Sequence, residues 1–461
     1  MENLTSFITP NDPAIVASTD SQAIQGAIKL AKEKGLNKIV IPRINARTNA
    51  PIWNIDTAIL LPSDITVVLD DCHLRMVDGV FSNMFVNENF NTELGTTKEG
   101  RQKNIHIVGV GNALLDGGLP NGLNERSANK NGLPPVWHNL TINLFNVDNF
   151  SVKNISVTDQ RWWALCFCYC RTGVIRDIRF QLTRHAVQCD ETWTNMDGVD
   201  IRVGCSNIEI SNIVGEVGDD VVALTALGPL GGMAIEGEDT TIHDIYINNV
   251  RGITSQCAIV RLLCQKGYKV RRISINNIFE ISRVKKEATA SYLLRIGDDG
   301  YYKDPAQRSQ MGDLADICAE NLFSHSCTAV GLACNVKNFS CRNVYVYDNG
   351  GYAVMCGQVE AYNEFAYKKN MEEVLTPCRI YHSSNAYYME NLVSEPTGHR
   401  AEMENIYVEN IFYNTNAKKA KGVIGFNRVE LKNVNIKNVC NDTSLPTVAY
   451  FNMDEPKFNL E

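Results

Sequence analysis

From about residue 150 to residue 440 the chain keeps returning to one short phrase, asparagine followed by β-branched residues that alternate with polar ones. It occurs at Phe150–Val157, Gly173–Phe180, Asn207–Ile213, Thr241–Val250, Val270–Ile278, Asn338–Val346, Met403–Ile411 and Val429–Val439. Alternation with a period of two marks strands with one face buried. Equivalent positions lie 23 residues apart from Ile155 to Ile178 and 28 from Val250 to Ile278. Degenerate repeats of this length with no helix between strands predict a solenoid whose Val, Ile and Leu stack inward. The asparagines suit tight left-handed bends and side-chain ladders from one rung to the next.

Ahead of the repeats, residues 21–34 place Ile24, Ala27, Ile28 and Ala31 on one helical face, with Ser21 as cap and Gly35 as stop. Short strands follow at Lys38–Pro42, Ala58–Leu61, Ile65–Leu69 and Ile105–Val108. The pattern predicts an all-β fold, a right-handed single-stranded parallel β-helix whose first rung is covered by an N-terminal helix. A sandwich or propeller is disfavoured, because hairpin turns of the Asn-Gly or Asp-Gly kind do not punctuate the strands regularly. One domain is expected over 1–461, with the cap in about 1–45 and long insertions at about 119–139 and 352–402. The second insertion holds Tyr362, Phe365, Tyr367, Tyr381, Tyr387 and Tyr388, apt either for stacking on sugar rings or for packing a subdomain.

Composition excludes several classes. With 44% hydrophobic and 21% charged residues the chain buries a core and is not disordered. A net charge of −8 argues against a nucleic-acid or anionic-membrane partner, so an anionic substrate has to be met by local basic residues. No apolar run is long enough to span a membrane, and the first residues lack the basic and apolar regions of a secretory signal, which predicts a cytoplasmic protein unless a leader has been trimmed. Fifteen cysteines, an odd number without a framework, predict unpaired thiols packed as small hydrophobes. Cys166, Cys168 and Cys170 sit two apart, on one strand face rather than in zinc-binding spacing. No metal or other cofactor is expected, and whether the chain forms a homo-oligomer is left open.

Two acidic turns stand out among the repeats. Asn195-Met196-Asp197-Gly198 runs into Val199-Asp200-Ile201-Arg202, and Gly218-Asp219-Asp220 runs into Val221-Val222-Ala223-Leu224. Asp197 and Asp220 are 23 residues apart, one rung of the repeat. On adjacent strands they would lie about 4.8 Å apart, where like charges raise one another's pKa and can orient a water.

These motifs resemble glycoside hydrolase family 28, the polygalacturonase-like branch of the parallel β-helix enzymes. The similarity extends over nearly the whole chain, through the Ala23-Ile24-Gln25-Gly26-Ala27-Ile28 helix, the Lys38–Pro42 strand, the segment Gly109–Gly118 and Trp163-Ala164-Leu165. Its most specific part is Asn195–Gly198 with Gly218–Asp220, matching that family's NTDG and GDD segments. The resemblance implies inverting hydrolysis of a glycosidic bond, with Asp219 as general acid and Asp197 and Asp220 holding the attacking water. Inversion needs acid and base roughly 6.5–9.5 Å apart across the anomeric carbon.

Two family positions differ. The histidine of the GHG segment aligns with Ala258, and the lysine of the RIK segment with Gly297, while Arg295 is kept. Alternation turns Val260, Leu262, Leu294 and Ile296 inward and therefore Arg261 and Arg295 outward, so Arg202, Arg261 and Arg295 are expected to line a groove suited to a carboxylate-bearing sugar. Trp193 and Asn195 complete the candidate substrate-binding set. The expected substrate is thus a uronate-containing, pectin-like oligosaccharide or polysaccharide. The alternatives are another β-helix carbohydrate enzyme, a lyase or intramolecular transferase, and a non-catalytic glycan-binding β-helix.

Overall fold

The computed structural model describes residues 6–125, 127–183, 195–254, 257–281, 290–302, 304–348, 350–357, 400–415, 422–451, 453–455 and 457–460. Trp193 and the six aromatic residues named in the second insertion lie outside them. Contacts group the chain into two compact units: Met1–Ala186 with Thr192–Gly215 and Pro229–Asp239, and Val187–Glu191 with Glu216–Gly228 and Thr240–Glu461. Each is a right-handed parallel β-helix.

In the first unit, one parallel sheet runs through Lys38–Pro42, Ile65–Asp70, Gln102–Val110, Val147–Thr158, Arg171–Gln181 and Ser206–Val217. A second runs through Ile59–Leu61, Phe85–Asn87, Ile142–Phe145, Leu165–Cys168 and Val199–Arg202. The expected register holds, since Ile155 faces Ile178. Ile107, Val152, Ile175 and Ile210 form one inward column, all buried. Fully burying an aliphatic side chain of that size stabilises by about 1.5–3 kcal/mol, so such columns are the main adhesive between rungs.

The second unit repeats the plan. Its long strands are Ile242–Thr254, Val270–Glu280, Leu314–Ser324, Val336–Asp348, Ala401–Thr415 and Val429–Asn441. The shorter ones are Val222–Ala226, Ala258–Cys264, Tyr292–Ile296, Thr328–Leu332, Tyr352–Cys356, Ile424–Asn427 and Val448–Phe451. Val250 faces Ile278, again as the repeat phrase requires. The bends inside the long strands are made by asparagines in the left-handed region, among them Asn277, Asn321, Asn343, Asn410 and Asn438 with φ between 56° and 60°. Their amides chain together, Asn321 donating to Asn277, Asn343 to Asn321, Asn410 to Asn343 and Asn438 to Asn410 at 2.9–3.1 Å.

The cap is the helix Asp20–Glu33, whose Ala23, Ile24, Ala27, Ile28 and Ala31 are buried. Its N-cap is Thr19, whose hydroxyl accepts from Gln22 N–H, and not the expected Ser21. Ser21 is engaged elsewhere, its Oγ accepting from the peptide N–H groups of Asp56 (3.0 Å) and Thr57 (3.3 Å). The expectation of wholly unpaired cysteines is also corrected, because Cys327 is disulfide-bonded. Cys166, Cys168 and Cys170 are free and sealed in the core, where burial raises the thiols of Cys166 and Cys168 and so disfavours the thiolate that would bind a metal.

Candidate active site

The Gly218-Asp219-Asp220 turn opens the strand Val222–Ala226 and is tied to the next rung by Val221 N–H donating to Ala258 O at 3.1 Å. Asp220 is 0% exposed, and both its oxygens accept: Oδ1 from Ala258 N–H at 2.9 Å, Oδ2 from the Arg261 guanidinium at 3.0 Å. Arg261 lies on Ala258–Cys264 in register with Ala223 behind it and Arg295 ahead, and the methyl of Ala223 leaves room for the guanidinium. Burial would lower the pKa of Arg261, but the Asp220 carboxylate overrides it and raises the guanidinium further above its usual value. The Tyr301 ring covers the guanidinium, 5.4 Å from its centroid.

Arg295 is arranged likewise. It is buried, pairs with Asp298 at 2.5 Å, and lies over the Tyr292 ring at 4.8 Å. Tyr292 fills the space that Gly331 leaves open, since a Cβ there would meet the ring at 2.5 Å. Burial, eased by Arg295, pushes the phenol up to about 12, so it stays protonated at neutral pH. Arg261 and Arg295 thus both reach the outer side of the sheet, as alternation requires, yet each is already matched to a carboxylate of its own unit.

Asp219 is 6% exposed and sits with Asp220 beside the Cys257 thiol. Burial first, then the charges of Asp219 and Asp220, push that thiol well up against the opposing effect of Arg261 and Arg295. Cys257 is therefore a neutral thiol and not a nucleophile. Asp219, Asp220 and Cys257 each bring one potential ligand atom within 4.8 Å of the others. The guanidinium already on Asp220 and the protonated thiol make this a poor cation site; the set suits proton handling and water positioning better.

The Asn195–Gly198 motif belongs to the first unit. There Asp197 is buried, and its backbone is fixed by its carbonyl accepting from Ala164 N–H at 3.0 Å, while Gln160 Nε2 donates to Met196 O at 3.2 Å. Asn195 is partly exposed at the head of this turn. On the following strand Asp200 and Arg202 alternate with inward Val199 and Ile201, and Asn143, Cys166 and Asp200 form one column across three strands. Alternation predicts a wet outer face here, but these residues are buried as well. Arg202 lies over the Trp163 ring at 4.8 Å, and Trp163 stacks on Trp162 at 3.9 Å.

Several members of these clusters carry little signal in the sequence. Asp298 has one, an acidic residue three positions after Arg295. Tyr301 and the Ala258 peptide N–H have none, because both matter through contacts about forty residues distant in sequence.

Residues 58–229 match the family described as glycosyl hydrolases family 28. A search of curated proteins finds no match. Among solved structures, a double mutant of the tailspike protein of E. coli bacteriophage HK620 is similar over 97% of this chain and 76% of that one, with 14% identity and a TM-score of 0.50. An exopolygalacturonase from Thermotoga maritima matches over 93% and 92%, with 12% identity and a TM-score of 0.46. An endo-xylogalacturonan hydrolase from Aspergillus tubingensis matches over 99% and 95%, with 10% identity and a TM-score of 0.46. At such identities the structural likeness speaks for the fold alone, whereas the family match spans both aspartate turns. The match is confined to residues 58–229, and it is that stretch, with its two aspartate turns, that is similar to glycosyl hydrolases family 28.

Proposed function

We propose that this protein is an inverting glycoside hydrolase acting on a uronate-containing, pectin-like oligosaccharide or polysaccharide. Asp219 is the general acid, and Asp220, with Asp197, activates the attacking water. The observation that carries the reading is the state of Asp220, inside a stretch that matches a hydrolase family. Its two oxygens accept from a peptide N–H and a guanidinium, which fixes the carboxyl group in place beside Asp219 as an acceptor on both sides. Crowding a second carboxyl beside it is the general means by which an acid keeps its proton at neutral pH. The part of Asp197 is proposed from its motif.

A lyase on the same fold would leave an unsaturated product and commonly needs a cation; a hydrolase leaves a new reducing end and needs neither. The test is incubation of the protein with oligogalacturonates and with pectin fragments, read for reducing ends and for ultraviolet absorbance, with and without a chelator. Reducing ends without absorbance, undiminished by the chelator, are the expected result. Absorbance that the chelator abolishes would replace the hydrolase with a lyase.

A further inference from the structure

Three arginines near the two aspartate turns are candidates for reading a sugar carboxylate, and their surroundings separate them. Arg261 is held by Asp220 and Arg295 by Asp298. Arg202 is 8% exposed and has the Trp163 ring against its guanidinium, but no ion pair or hydrogen bond to the guanidinium is found among the described residues. Its Nε, like those of Arg261 and Arg295, is sealed from solvent without an acceptor, so what sets Arg202 apart is that no carboxylate is found on its guanidinium among the described residues. Asp200, two residues earlier on the same face, is buried as well, and no ion pair between the two is found among the described residues.

Burying a guanidinium without an anion is one of the costlier things a fold can do. The neighbouring polar atoms share the same unmet need. Trp163 Nε1 is buried with no acceptor, and so are both amide atoms of Asn143, two strands away on the same face. The wall is built rather than loose, since Trp162 stacks on Trp163 and its own Nε1–H donates to Glu125 at 2.5 Å.

We infer that Arg202 and Trp163 form the carboxylate subsite of this protein, taking one uronate residue of the glycan. The Arg202 fork pairs with the sugar carboxylate, and Trp163 Nε1–H donates to an oxygen of the same ring. Arg261 and Arg295 already hold protein carboxylates, so the subsite is assigned to Arg202 first. This rests on the glycan-directed reading above, but not on hydrolysis being the reaction.

The test is calorimetric binding of trigalacturonate and of its carboxyl-reduced, neutral counterpart to the full chain. Wild type should prefer the acid, and Arg202→Gln should weaken the acid by a factor of about ten to a thousand while leaving the neutral trimer nearly unchanged. Arg202→Lys, which keeps the charge without the fork, should fall between them. Trp163→Phe keeps the ring and lacks the N–H, so it should cost a smaller factor, and it serves with Arg202→Lys if Arg202→Gln does not fold. No acid preference in wild type, equal losses on both trimers, or competition by inorganic phosphate with no preference between the trimers would overturn the assignment. If hydrolysis is absent yet this binding pattern holds, the hydrolase reading fails and the subsite stands.

Discussion

Gly297 stands where the family resemblance expects a lysine, and local geometry explains why no lysine is there. Its φ is +72°, and a Cβ would lie 1.9 Å from Cys334 Sγ. Any side chain thus meets both a left-handed backbone and an occupied space. Gly297→Lys should destabilise the protein by about 2–5 kcal/mol, from backbone strain and overpacking together. Denaturant unfolding of Gly297→Ala alone and with Cys334→Ala checks this: the second change should recover the packing part and leave the strain part. Purely additive losses would contradict it. The same residue scale marks where sequence reading stops. Alternation correctly turns Arg261 and Arg295 to the outer side of the sheet, but nothing in a strand's own pattern tells which carboxylate a guanidinium meets. Asp220 is 41 residues from Arg261 in sequence, and Arg202, buried over the Trp163 ring with no ion pair among the described residues, has the same pattern as its paired counterparts.

Among the elements, the long strands owe their bends to asparagine. Asn410 has φ 60°, donates to Asn343 and accepts from Asn438. Asn410→Ala removes two ladder hydrogen bonds, worth about 1 kcal/mol each, and adds the left-handed penalty of a Cβ, roughly 1–2 kcal/mol. Asn410→Gly spares that penalty and should be the milder change in thermal melts; the reverse order would mean that the left-handed bend is not what Asn410 supplies here. The elements were the most legible level of the chain. The repeat phrase placed Ile155 opposite Ile178 and Val250 opposite Ile278, because a period of two leaves no freedom of register when one face is buried. The helix was legible from its apolar stripe, whereas its cap was misplaced by two residues, since Ser21 serves peptides of a later segment that local rules do not see. Likewise the wet outer face expected for Asp200 and Arg202 is covered, which strand periodicity cannot register.

At the scale of the whole molecule, stability should fall with acid in two stages. Burial lowers the pKa of His106, helped by Lys153, and of His138, and lowers His325 against the opposing pull of Asp348. Each imidazole is therefore preferred neutral when folded, so its contribution is full above the unfolded value of about 6.5 and is lost as pH drops through the folded value. Asp316, held low by the Asn338 amide and Arg271, adds a second loss below about pH 4. Melting temperature should decline from pH 7 to pH 5, less steeply in His106→Gln, which keeps a polar partner for Ser151; a profile flat or rising toward pH 5 would contradict the assignment. The central claim concerns chemistry. It is tested most directly by following the first turnovers on an oligogalacturonate by proton NMR, with Asp219→Asn as control. The predicted result is a first-formed product of inverted anomeric configuration, with the rate in Asp219→Asn lower by about a hundredfold or more. A retained anomer, or full activity without the Asp219 carboxyl, would contradict it.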